Sequence, residues 1–91
     1  SMIKETLKNG FEVEIPDENL DDYELLEDLA ALDEGEENTG KIVSAYKRLL
    51  GGEQYKALKE HIRSEAGRVS ATAMLETLQE IFELQDGELK N

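Results

Sequence analysis

The chain has 91 residues, a formal charge of −12 and 35% charged against 38% hydrophobic side chains, enough for one small core and no second one. It has no cysteine, which excludes a disulfide framework and a thiolate metal site and fits a reducing compartment. No apolar run approaches the ~18 residues of a membrane span and no secretory pattern opens the chain, so neither insertion nor secretion is expected.

We therefore expect a single domain over residues 1–91, with Ser1 ahead of Met2 read as a cloning remnant. A chain this short buries only about 60% of the surface its unfolded form exposes, which favours an oligomer or a complex. The charge is uneven: residues 1–40 hold fourteen acids and two bases, whereas residues 41–91 hold eight of each. Such a surface repels nucleic acid and anionic membranes, both of which are bound by Lys and Arg.

From Ile3 to Ile15, Asn9-Gly10 separates two apolar-bearing runs, and Phe11, Val13 and Ile15 alternate with Glu12 and Glu14. This predicts a β-hairpin with a type I′ turn, ended by Pro16, which cannot donate to a ladder. A lone hairpin is marginal in water, so its apolar face must rest on the helices that follow.

A first helix, capped by Asp21 or an earlier polar residue, is expected from about Asp22 to Asp33, with Leu25, Leu26, Leu29 and Leu32 on one side and Gly35 past its end. Glu36 to Gly40 reads as a polar loop. A second helix, about Gly40 to Leu50, capped by Asn38 or Thr39, sets Ile42, Val43, Tyr46, Leu49 and Leu50 on one face. Gly51-Gly52 forms a corner before a third helix, Glu53 to Ser64, which turns Tyr55, Leu58 and Ile62 inward and ends before Gly67. The fourth is capped by Ser70, with Val69 and Met74 as a staple, and carries Ala71, Met74, Leu75, Leu78, Ile81, Phe82 and Gln85 along one stripe. Residues 87–91 should fray. The fold class is mostly α (α+β): an N-terminal hairpin over residues 3–15, then about four short amphipathic helices packed as a small bundle over residues 17–86.

Chemistry is sparse. His61 is the only histidine, with neither a cysteine nor an evident nucleophile and base beside it, so it reads as a packing residue. Asp17, Asn19, Asp21 and Asp28 fall at positions 1, 3, 5 and 12 of a calcium loop, but position 6 is Asp22 where the turn demands glycine, and position 12 is not Glu. Phosphate-loop, dinucleotide and nucleophile-elbow motifs do not occur. We expect no metal, no cofactor and no enzyme. The apolar stripes remain: mostly core, with Tyr46, Leu50, Met74 and Phe82 the candidates for gripping a partner.

The order of features is distinctive: KNGFEVEIPDENLDDYELLEDLAALDEG, then GKIVSAYKRLLGGEQYKALKEHIRSEAGRVSATAMLETLQEIFEL, ending in LKN. It resembles the small tail assembly chaperones of long-tailed (siphovirus-type) phages and prophages of Gram-positive bacteria. In these a KNGF hairpin precedes a D-D-x-E-[LF]-L-E helix, and an LLG helix end precedes L-x-x-H-[IL]-R-x-E-x-G-R-V. The matching residues are Asp21, Asp22, Glu24, Leu26, Leu49, Leu50, Gly51, His61, Arg63, Gly67, Arg68 and Val69; none is catalytic in such proteins.

The resemblance implies a protein of the host bacterial cytoplasm that binds and solubilises the helical tape measure protein. It would leave as tail tube subunits polymerise and be missing from the mature virion. It also implies a longer form, in which a ribosomal frameshift appends a domain that recruits the tail tube protein; Lys90-Asn91 suits an A-rich slippery codon pair. The rival reading is an acidic phage-encoded inhibitor or DNA mimic directed at a basic host protein, since Asp17 to Glu37 contains eleven acids and no base. Against it, a mimic gains from charge along its whole length, and residues 41–91 are balanced.

Overall fold

The computed structural model describes residues 2–35 and 38–90, with side chains up to Leu84. An antiparallel hairpin, β1 (Met2–Thr6) and β2 (Glu12–Pro16), is followed by α1 (Asp17–Leu20), α2 (Tyr23–Asp33), α3 (Thr39–Ile62) and α4 (Ala71–Lys90). The class is α+β, as expected.

The hairpin turn differs from the expected type I′. Gly10 alone has a positive φ, at 90°, whereas a type I′ turn needs one at Asn9 as well. The Gly10 N–H donates to the Leu7 carbonyl (2.9 Å), the Leu7 N–H to the Phe11 carbonyl (2.8 Å) and the Phe11 N–H to Asn9 Oδ1 (2.9 Å). This is a three-residue loop, Lys8-Asn9-Gly10, with glycine at the left-handed position.

Hydrophobic pattern explains the choice. The observed register sets Ile3 opposite Ile15 and Glu5 opposite Val13, and the Leu7–Phe11 pair continues it. Ile3, Leu7, Phe11, Val13 and Ile15 thus share a face, which a two-residue turn would break by sliding β1 one place and turning Leu7 to solvent. That face lies on the core, where Leu7, Val13 and Ile15 are buried.

Asp22 caps α2 by accepting from the Leu25 N–H (3.1 Å), and Gly35, with φ at 89°, lies just past its end. Asn38 caps α3, accepting from the Lys41 N–H (3.3 Å), one residue ahead of the expected start. The expected second and third helices are the two arms of α3, residues 39–50 and 52–62, broken at Gly51 (φ 78°, ψ 159°). Few side chains other than glycine's hydrogen tolerate that conformation.

The break frees carbonyls at the end of the first arm. Asn19 Nδ2 donates to the Leu49 carbonyl (2.8 Å) and Gln54 Nε2 to that of Leu50 (3.1 Å). Gln54 also pairs with the open edge of β2, accepting from the Glu14 N–H (2.7 Å) and donating to the Glu14 carbonyl (2.9 Å). One amide side chain thereby closes both a helix end and a sheet edge.

The second arm ends at Ile62, before the expected Ser64. Gly67 (φ 87°) instead shapes the following loop, where the Ser64 N–H donates to the Arg68 carbonyl (2.9 Å) and Arg63 Nη1 to that of Gly67 (2.8 Å). Ser70 Oγ caps α4 by accepting from the Ala73 N–H (3.1 Å). α4 continues through Gly87 to Lys90, where a frayed segment was expected, and Asn91 lies outside the described residues.

One contiguous core joins every layer: Leu7, Val13 and Ile15 of the hairpin, Leu25 and Leu29 of α2, both arms of α3, and Met74, Leu78 and Ile81 of α4. At the corner the Tyr46 and Tyr55 rings stack 5.0 Å apart, with Lys59 Nζ 4.4 Å from the Tyr55 centroid.

The two corner glycines should respond oppositely to alanine. Gly51→Ala forces a side chain into the left-handed half of backbone space and should cost about 1–3 kcal/mol. Gly52→Ala, helical and with no atom within 4 Å of the added methyl, should gain about 0.5–1 kcal/mol. Urea denaturation of both variants reads the sign directly.

Candidate functional site

α2 and α4 each pack on α3 and barely meet one another. A polar clasp fixes α2: Arg48 lies 3.1 Å from Asp22 and 3.4 Å from Glu24, and Ser44 Oγ donates to Asp28 (2.6 Å). The Leu25 N–H above all, then the Arg48 guanidinium, holds the Asp22 carboxyl below its ordinary range. On the other side Tyr46 reaches across from the first arm of α3, its hydroxyl donating to the Met74 carbonyl in α4.

Between the two helices an open groove of about 740 Å³ remains. Leu29 and Leu78, both buried, form its floor, while Leu32, Ile42, Leu75 and Phe82 line its sides. Leu75 is 48% exposed, and Phe82 is half-buried. Asp33, Glu83, Gln79, Gly35 and Thr39 complete the lining, which among the described residues contains no Lys or Arg.

The candidate contact residues divide between core and groove. Tyr46, Leu50 and Met74 are core, with exposures of 0%, 5% and 9%, and burial pushes the Tyr46 phenol well above its usual pKa. Only Phe82 of the four lines the groove. Leu75, counted within one broad inward stripe, is instead turned toward solvent, because Met74, Leu78 and Ile81 take the buried side. The i, i+3, i+4 pattern marks apolar faces without stating which are covered by the chain itself. Leu26, expected in the inward stripe of α2, is likewise 45% exposed, and Tyr23 is 76% exposed.

The remaining candidates act as joints. His61 is exposed rather than partly buried; its Nε2 lies 2.8 Å from the Asn9 carbonyl and its ring is tilted against Phe11 at 5.5 Å, tying the hairpin turn to α3. Glu80 of α4 accepts from the Lys8 N–H (3.0 Å) in the same turn. Asn19 and Asp28, two members of the calcium-loop spacing, face Leu49 and Ser44 respectively. Among the described residues no group of three or more His, Asp or Glu is placed to hold a metal ion, and no helix is long and apolar enough to cross a membrane.

The chain matches no protein-family model, no curated protein and no solved structure.

Two outcomes check this assignment of core and groove. Leu75→Glu should leave the melting temperature nearly unchanged, within the ~0.5 kcal/mol of ordinary surface substitutions, whereas Tyr46→Glu buries a charge and should abolish the cooperative transition seen by circular dichroism. Asp22 has a lowered folded pKa, so its contribution is complete above its ordinary value of 3.8 and drains as the pH falls below it through the folded pKa. Asp22→Asn should therefore lose less stability than the parent chain when thermal melts are taken from pH 5 downward.

Proposed function

We propose that this chain is a binding protein rather than an enzyme: a tail assembly chaperone of the long-tailed phage and prophage kind. It holds the apolar helices of a tape measure protein in the α2–α4 groove and keeps that client dispersed in the host bacterial cytoplasm. Tail tube subunits displace it as they polymerise, recruited by a frameshifted C-terminal extension, so it does not persist in the mature virion. The order of motifs from the KNGF hairpin to the L-x-x-H-I-R segment supports this reading.

The observation that carries it is the pairing of a half-exposed Leu75 and Phe82 with Leu32 and Ile42 across an open groove in a folded, strongly acidic chain. Apolar side chains in a shallow furrow grip another apolar helix weakly. Many copies along one long client hold it firmly and release together, while net charge of one sign keeps the assembly from coalescing.

The DNA-mimic alternative draws less support. Asp22, Glu24 and Asp28 of the acidic segment are engaged with Arg48 and Ser44 in fixing α2 to α3, so they do not form a free row of carboxylates.

Co-expression with the tape measure protein of the same phage or prophage tests the proposal. The parent chain should keep the client in the supernatant, and Leu75→Glu, folded as judged by its melt, should send most of it to the pellet. A client that precipitates even with the parent chain defeats the chaperone reading; a client that stays soluble with Leu75→Glu defeats the groove as its seat.

A further inference from the structure

We infer that the groove selects one chemical kind of occupant: an amphipathic helix of two to three turns whose apolar ridge is flanked by Lys or Arg. The source of such a helix rests on the chaperone reading above; its chemistry follows from the groove.

The walls determine the secondary structure of the occupant. The groove is flanked by α2, the first arm of α3 and α4, whose backbone groups, apart from the helix ends near Gly35 and Thr39, are bonded within their own helices. An extended peptide entering it would find no ladder partner for its N–H and C=O groups and would lose their hydration, whereas a helix arrives with those groups already satisfied. Leu75 and Phe82 stand seven residues apart on α4, about 10 Å or two turns, which sets the length of client that touches both.

The rim determines its charge. Asp33 and Glu83 line the groove, and among the described residues no cationic side chain does. Two helix ends also reach it, the C-terminus of α2 near Gly35 and the N-terminus of α3 at Thr39. Their partial charges are opposite and offset each other, so the full charges of Asp33 and Glu83 decide the sign. A helix with Lys or Arg beside its ridge meets complementary potential at the rim while its ridge fills the furrow.

The same argument disfavours a second copy of this chain as occupant. Two grooves facing each other across a twofold axis bring Asp33 and Glu83 of one copy against acids of the other, on molecules that each carry −12.

Three fluorescein-labelled 18-residue helical peptides with one shared leucine ridge and flanks of Lys, Gln or Glu would be titrated with the full chain, anisotropy being read at low and high salt. The Lys peptide should bind tightest and the Glu peptide weakest. The double variant Asp33→Asn/Glu83→Gln, which leaves the apolar lining intact, should shrink the advantage of the Lys peptide over the Gln peptide by on the order of threefold to tenfold, as should high salt. Leu75→Glu should weaken binding of the Gln peptide, locating the ridge in the groove.

Equal affinity for all three peptides, preference for the Glu peptide, or no binding overturns the inference, as does a parent dimer in sedimentation that Leu75→Glu dissociates. If the parent chain keeps the tape measure protein soluble yet does not discriminate among the peptides, the chaperone reading stands and this inference falls. If the Lys peptide is selected while the tape measure protein precipitates, the groove chemistry stands and the chaperone reading falls.

Discussion

The break in α3 at Gly51 is the constraint from which the rest of the molecule follows. A continuous 24-residue helix would be about 36 Å long and would carry the apolar stripes of its two halves away from each other. Breaking it folds the second arm back, so Tyr46 of one arm stacks on Tyr55 of the other, and both helical stripes converge on one core. The break also frees backbone carbonyls, and leaving them unpaired near the core would offset much of the gain. Asn19 and Gln54 accept that burden, and each comes from, or reaches to, the segment that must lie beside the corner. Gln54 binds both the Leu50 carbonyl and the edge of β2, so the helix corner and the hairpin are held by one side chain.

With the hairpin on the corner, the first arm of α3 supports two other helices on different sides. α2 is held by Arg48 and Ser44; α4 is held by the Tyr46 hydroxyl and by the Met74, Leu78 and Ile81 stripe. Neither attachment brings α2 and α4 together. Two convex cylinders resting on a third leave a furrow between them unless large side chains fill it, and here the apolar side chains at the gap are four Leu, Ile42 and one Phe. The groove is therefore what α2 and α4 leave between them when each packs on α3 and not on the other.

Much of this was legible in the sequence, for reasons that differ by residue. Pro16, Gly35, Asn38 and Ser70 mark boundaries through backbone chemistry that acts within a few residues, and the structure uses each one close to where it stands, while the cap of α2 falls on Asp22, one residue after the expected Asp21. The hairpin turn was misread because Asn9-Gly10 fits two loop geometries locally, and the choice between them is made by the distant core that Leu7 must reach. Gly67 was read as a helix stop because a positive-φ glycine serves that purpose often, but here the Ser64–Arg68 loop requires it instead. Tyr46, Leu50 and Met74, the candidate contact residues, are buried for the same long-range reason: periodicity shows that a face is apolar, and only packing shows what lies on it. The strongest available signal for the groove was that α4 carries apolar residues over too wide an arc for one contact, with Leu75 beside Met74 and Phe82 beside Ile81.

The residues that carry the family resemblance are, in this structure, predominantly joints. Asp22 caps and clasps α2, Gly51 turns the corner, His61 holds the hairpin turn, and Arg63 with Gly67 closes the loop before α4. Leu75 and Phe82, which line the groove, fall outside those motifs. Such a division agrees with the proposed function, a weak and multiply repeated grip on a long client. A joint tolerates few replacements because its geometry is shared by two elements, whereas an apolar lining can exchange Leu, Met or Phe and still grip a matching ridge. Motif likeness of this kind therefore tracks the scaffold, and under the function proposed above the lining of the α2–α4 groove is where one client would be told from another.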